Sequence, residues 1–181
     1  MQLEKHKEVI TIIVGTNAES GATRAVAAMY ESLLTERNIS FQLCDLKDLP
    51  VDIISPDMYY NRSESFVRFQ EQYLVPTDKY IIIIPEYNGG IPGMFKLMMD
   101  CSDITTSWWG KKACLTGVSA GRSGNLRGLD TLTNYLNYLK VDVHKRKIPI
   151  SRIDDLINDG KLTDQATIDV ITSQLTDFLG I

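Results

Sequence analysis

Two apolar runs limit what this chain can become. Residues 9–14 read VITIIV and residues 80–85 read YIIIIP, and each stops abruptly at a loop rich in glycine or proline. A strand with one face in water alternates apolar and polar side chains. A nearly unbroken apolar run belongs instead to a strand covered on both faces, as happens where helices lie above and below a parallel sheet. Neighbouring parallel strands then have to be joined by long crossovers, usually helices.

The rest of the chain meets that requirement. After a polar loop at residues 16–21, Val26, Met29, Tyr30, Leu33 and Leu34 recur at helical spacing within residues 22 to about 37. Residues 41–46 make a shorter second strand, residues 50–62 are irregular, and Phe66, Phe69, Tyr73 and Leu74 mark a helix closed by Pro76. The run at 80–85 is the third strand, residues 94 to about 103 form a helix, and residues 113–118 (ACLTGV) form the fourth strand. Leu126, Leu129, Leu132, Leu136 and Leu139 define the next helix, residues 141–150 contain a fifth strand, and Ile168, Ile171, Leu175, Phe178 and Leu179 define a last helix. Strands alternating with helices imply right-handed crossovers. The expectation is a three-layer α/β fold of flavodoxin-like type, a five-stranded parallel sheet in order 2-1-3-4-5 with helices on both faces, as one domain over residues 1–181. A chain of that size buries roughly 70% of its unfolded surface without disulfides or metals.

Composition removes several alternatives. Hydrophobic residues at 44% and charged residues at 23% exclude a disordered chain, a collagen-like repeat and a coiled-coil rod. The net charge is -4, and the one basic cluster is residues 144–147 (HKRK), so no nucleic acid is expected as partner. Cys44, Cys101 and Cys114 have neither a disulfide framework nor zinc-ligand spacing, which makes them buried thiols in a reducing compartment and leaves no metal site. The polar start has no signal-peptide pattern and no apolar run reaches membrane length; a cytoplasmic protein with no membrane partner is expected.

In this strand order, ligands bind beyond the carboxyl ends of the strands near the switch point, where the loops after strands one, three and four converge. The first loop, Gly15-Thr16-Asn17-Ala18-Glu19-Ser20-Gly21-Ala22-Thr23, offers hydroxyls and backbone N–H groups at a helix start. That suits an anion, although Ser20 or Thr23 can equally serve as a helix cap. Its spacing is neither G-x-G-x-x-G nor a P-loop, so a monophosphate fits better than a dinucleotide or a nucleoside triphosphate. The second loop, Pro85-Glu86-Tyr87-Asn88-Gly89-Gly90-Ile91-Pro92-Gly93, fixes a tight path that lets backbone approach a flat ligand, with the Tyr87 ring to hand. In the third, Ser119-Ala120-Gly121-Arg122-Ser123-Gly124-Asn125, Arg122 either sits beside an electron-rich ring, caps a carboxylate, or is a solvated loop charge.

Together the three loops resemble the NADPH-dependent FMN reductase family, which includes azoreductases, quinone reductases and chromate reductases. The resemblance runs from about residue 9 to 178. Its most specific part is Pro85-Glu86-Tyr87-Asn88 followed by Ile91, Pro92, Gly93 and Lys96, matching the family's P-E-Y-N-x-x-x-P-G-x-L-K segment except that Phe95 replaces leucine. The first loop matches the family's G-S-x-R-x-x-S-x-N loop in length, but Ala18 stands at the arginine, Gly21 at the serine and Thr23 at the asparagine. The third resembles S-x-G-x-x-G-G through Ser119, Gly121 and Gly124, with Asn125 at the last glycine.

The resemblance implies an FMN-dependent NAD(P)H oxidoreductase, with FMN and NADPH as cofactors, that hands hydride to a small acceptor such as a flavin, quinone, azo compound or metal oxyanion. The FMN-binding set it implies is Thr16, Asn17, Ser20, Gly21, Ala22 and Thr23 for the phosphate, Pro85, Glu86, Tyr87, Asn88 and Gly89 for the ring and ribityl chain, and Ser119, Ala120, Gly121, Arg122 and Gly124 for the N1 and C2-carbonyl edge. No catalytic acid or base is assigned. A homodimer or homotetramer is implied, with Met94, Met98 and Met99 either core packing or part of a subunit contact, and Trp108 and Trp109 a partly buried pair either at a neighbouring subunit or over the sheet edge. His6 and His144 are given no catalytic role. A response-regulator receiver is excluded because strand one ends without an acidic cluster, and a flavodoxin carrier ranks lower for want of stronger acidity. The alternative of another class is a flavodoxin-like interaction or regulatory module with weak or lost FMN binding.

Overall fold

The computed structural model describes residues 8–19 and 21–181; Ser20 and His6 lie outside the described residues. Along the chain come β1 (Ile10–Val14), α1 (Ala22–Glu36), β2 (Phe41–Asp45), α2 (Glu64–Tyr73), β3 (Lys79–Pro85), α3 (Gly93–Cys101), α4 (Ile104–Ser107), β4 (Lys112–Val118), α5 (Leu126–Tyr138), β5 (Asp142–Val143), β6 (Ile148–Ile150), β7 (Ile157–Asn158), β8 (Lys161–Leu162) and α6 (Gln165–Leu179). The main sheet is parallel in the order β2-β1-β3-β4-β5, with β6 also alongside β4.

The isoleucine run of β3 explains the layering. Tyr80, Ile82 and Ile84 face a core built with Phe66, Phe95 and Leu132, while Ile81 and Ile83 face the opposite core of Val26, Leu34, Ile171 and Leu175. Alternate side chains of one strand thus enter two separate cores, the behaviour its unbroken apolar pattern requires. Phe95, in place of the family's leucine, is fully buried in the first of these. Met98 and Met99 are buried in the same core and Met94 packs against it, so core packing accounts for the methionines.

The fifth strand departs from the single expected segment. It pairs at residues 142–143, leaves the sheet across the basic cluster, and returns at residues 148–150. Four consecutive basic side chains cannot alternate into two apolar layers, and charged groups are not buried without partners. Gln174 on α6 closes the gap by donating to the carbonyls of Leu115 (3.0 Å) and Arg146 (2.9 Å). The β7–β8 hairpin turns at Asp159 and Gly160, both with positive φ, a pair suited to a two-residue turn. The two tryptophans part company: Trp108 is fully buried against Tyr80 and donates from Nε1 to Ser102 Oγ at 2.7 Å, while Trp109 is half-exposed beneath the Lys140 ammonium. Cys44, Cys101 and Cys114 are all free and buried; burial pushes all three thiols up, those of Cys44 and Cys114 far up.

Candidate functional site

The loops after β1, β3 and β4 meet at the carboxyl edge of the sheet, held together from the backbone outwards. Gly15 N–H donates to the Ile83 carbonyl at 2.8 Å, and a methyl group at Gly15 would stand 2.6 Å from the Ile84 side chain and 2.8 Å from the Ile83 carbonyl. Only glycine lets the first loop leave the sheet this close to β3. Thr16 Oγ1 then meets the Tyr87 hydroxyl at 2.7 Å, joining the first loop to the second, and accepts from Ala18 N–H at 3.2 Å.

Gly21 is the N-cap of α1 and has no side chain to cap it. Among the described residues, the N–H groups of Asn17, Glu19, Gly21, Ala22 and Thr23 donate to nothing, so a run of free amides stands at a helix start. Beside it lies a pairing the sequence reading missed. Arg24 donates from Nε (2.8 Å) and Nη2 (2.5 Å) to the Ala18 carbonyl, and its Nη1 and Nη2 also clasp the buried carboxylate of Asp45. Lys47 Nζ stands 3.9 Å from the same carboxylate. The available signal was Arg24 placed one residue past the loop, with Asp45 ending the neighbouring strand.

The second loop is a small hairpin. Tyr87 and Gly90 exchange two backbone hydrogen bonds of 3.0 Å around Asn88 (φ 52°) and Gly89 (φ 74°), the conformation of a two-residue type I′ turn. Tyr87 is 42% exposed, its ring standing open beside the loops. The Arg127 guanidinium lies next to Gly89, where an added methyl would touch it at 3.8 Å.

Glu86 links the second loop to the third. Its carboxylate accepts from Ser123 Oγ, and hydrogen bonds from Ser123 and Ser119 hold it below the usual carboxylate range, with the charge of Arg127 adding to this. Ser119 N–H donates to the Ile150 carbonyl and Gly121 N–H to Ser119 Oγ, each at 3.0 Å, while Arg152 N–H reaches the Gly121 carbonyl at 2.8 Å. Among the described residues, the N–H groups of Ala120, Arg122, Ser123 and Gly124 find no acceptor, and Arg122 is exposed.

Asn125, the departure from the family's final glycine, takes a backbone conformation that glycine also adopts freely. Its φ is 61°, in the left-handed region that asparagine tolerates better than most residues, and its Nδ2 donates to the carbonyls of Ile84 (3.1 Å) and Pro85 (2.9 Å). The departure therefore adds a brace between β3 and the third loop. Glycine at 128 makes room for that side chain, since a methyl there would sit 2.2 Å from Asn125 Oδ1.

A model of the NADPH-dependent FMN reductase family matches residues 9–152. The chain belongs to that family. It is accordingly an oxidoreductase of an FMN- and NAD(P)H-using kind. It is 29% identical over 155 residues to an NAD(P)H-dependent FMN reductase of Pseudomonas aeruginosa, covering 82% of each chain. It is 27% identical over 135 residues to a 2-hydroxy-1,4-benzoquinone reductase of a Burkholderia species, covering 73% of this chain and 72% of the other. In structure it is similar to FerB, a flavoenzyme NAD(P)H:(acceptor) oxidoreductase of Paracoccus denitrificans, with a TM-score of 0.74, 25% identity and 96% of each chain covered.

The three loops suit this family's flavin unequally. Unpaired N–H groups at Ala120, Arg122, Ser123 and Gly124 and the open Tyr87 ring fit a flat heterocycle with an electron-rich edge. At the first loop the amides fit an oxyanion, but no side-chain cation points at them among the described residues. A cleft of about 520 Å³ lies at the opposite edge of the sheet, lined by Asp78, Lys79, Trp109, Lys111 and Lys112. Two of its lysines are engaged: Lys111 donates to the carbonyls of Leu74 and Val75, and Lys79 pairs with Glu8. No helix among the described residues is long and apolar enough to cross a membrane, and no metal-ligand cluster occurs among them.

Proposed function

We propose that the three loops hold FMN and that the enzyme passes hydride from NADPH to a small quinone-type acceptor. The observation that carries this is the set of unpaired N–H groups at Ala120, Arg122, Ser123 and Gly124, braced by Glu86 and Asn125 at the carboxyl ends of β3 and β4. In this reading Pro85, Glu86, Tyr87, Asn88 and Gly89 position the ring and ribityl chain. Ser119, Ala120, Gly121, Arg122 and Gly124 supply dipoles to the N1 and C2-carbonyl edge. Thr16, Asn17, Gly21, Ala22 and Thr23, together with Ser20, receive the phosphate. A flavin held by these residues would supply the hydride-transfer chemistry between NAD(P)H and the acceptor. The chain's part is electrostatic: fixed N–H dipoles aimed where negative charge collects need no reorganisation during the reaction. No side chain is required as acid or base. Tyr87 and the turn at Asn88 and Gly89 border the ring while leaving one face open to nicotinamide and acceptor in turn.

We also propose that two copies associate through the groove between α3 and α5. Ile104 and Tyr138 are exposed there beside Met99, Tyr135 and Leu139, around a hollow of about 280 Å³. Light scattering on the purified protein checks this; a monomer at all concentrations contradicts it.

The test of the main reading is the visible spectrum after adding FMN and removing the excess by rapid filtration, followed by anaerobic NADPH and then a benzoquinone. A yellow band that bleaches and returns, with ping-pong kinetics, is expected. Lack of any flavin fluorescence change on mixing overturns it in favour of an interaction module.

A further inference from the structure

Resting on that reading, we propose that the site recognises flavin by its ring and not by its phosphate, so that riboflavin binds and turns over in place of FMN. Riboflavin has the same ring and ribityl chain and no charge, which isolates the phosphate's contribution. The argument comes from what surrounds the first loop. Ala18 contributes only an exposed methyl group. The nearest described cation, Arg24, is turned away from the free amides: its Nε and Nη2 hold the Ala18 carbonyl, and Nη1 and Nη2 hold Asp45. Lys47 also faces Asp45 and not the loop.

The Thr16 hydroxyl is likewise engaged. Thr16 Oγ1 accepts the Ala18 N–H and shares a hydrogen bond with the Tyr87 hydroxyl. Exposed Glu19 adds a negative charge within the loop itself. What the described residues leave for a phosphate dianion is uncharged: the amide end of α1, the exposed Asn17 side chain and the Thr23 hydroxyl. A helix N-terminus favours an anion by a factor of about two to five, and the exposed Glu19 carboxylate opposes it. A bidentate guanidinium, which this loop lacks, is the contact that makes a phosphate a strong anchor. The ring end has no such deficit, because its donors are backbone N–H groups that any flavin meets alike.

The experiment is fluorescence titration of the full chain with FMN and with riboflavin, at low salt and at 0.3 M salt, alongside NADPH oxidation with each flavin. The two dissociation constants are expected to agree within about threefold, with FMN binding nearly insensitive to salt and both flavins supporting turnover. FMN binding tighter by thirtyfold or more, with strong weakening by salt, overturns the proposal while leaving the flavin site standing. Binding of neither flavin overturns both. Two variants sharpen the result. Ala18→Arg, on an exposed position, supplies a cation, and Asp45→Asn releases the Arg24 guanidinium; each is expected to tighten FMN about tenfold and leave riboflavin unchanged. Equal shifts for both flavins would contradict a missing phosphate charge, as would loss of FMN selectivity in Asp45→Asn, which would mean that the clasp already serves the phosphate.

Discussion

Residues 85–89 and 119–125 are bound to each other through the Glu86–Ser123 hydrogen bond and the Asn125 amide on two β3 carbonyls, whereas residues 16–19 reach the second loop mainly through one hydroxyl pair, Thr16 and Tyr87. The second and third loops are thus tied to each other by side-chain hydrogen bonds that cross between them. The first loop is held from behind, by Arg24 on a backbone carbonyl, and leaves its outward amides without side-chain help. A site can therefore keep its reactive half well ordered while relaxing its grip on the charged tail of the ligand.

The sharpest way to break this comparison is Gly124→Val. Gly124 has φ 59°, and its added Cβ would fall 2.6 Å from the Pro149 backbone. We expect about 3 kcal/mol of destabilisation from left-handed strain and overpacking, and loss of flavin binding, read by urea unfolding and fluorescence titration. Gly121→Val is the control for access: its Cβ would meet only Ser119 Oγ at 3.3 Å, so the fold should survive by circular dichroism while the ring is blocked. Normal flavin occupancy in that variant would remove the third loop from the site.

Asn125→Ala comes next, at about 2 kcal/mol, because it strands two buried carbonyls. Asn125→Gly keeps the backbone conformation and separates the hydrogen bonds from the turn. Glu86→Gln should be milder at neutral pH and revealing in acid. A carboxylate held below its ordinary range stabilises the native state fully above its unfolded pKa of about 4.3, and that stabilisation disappears as pH falls through the lowered native value. The variant's stability should therefore fall less steeply than the wild type's below about pH 4.3. The smallest effect belongs to Tyr87→Phe, which removes one partly exposed hydroxyl contact. A change in flavin affinity beyond about 1 kcal/mol would show the Thr16 link to be more than a tether.

Where the sequence was legible, one physical constraint dominated. The β3 isoleucines admit no other arrangement than two apolar layers, and the Asn88-Gly89 pair specifies its turn by backbone conformation alone. The break between β5 and β6 was hidden because it depends on Gln174, distant in sequence, reaching the Leu115 and Arg146 carbonyls. Arg24 was illegible for the same reason: its effect on the first loop is decided by Asp45 on another strand. Asn125 was read as a lost glycine, since one-dimensional pattern matching sees a missing residue type and not a retained φ.

The burial of the three cysteines also bears on how long such an enzyme lasts. Quinones are electrophiles that alkylate thiolates, and the thiolate fraction falls as a thiol is desolvated. Cys44, Cys101 and Cys114 are shielded by the two cores, and burial holds all three in the thiol form. A protein built this way can turn over a reactive acceptor many times without being arylated by it.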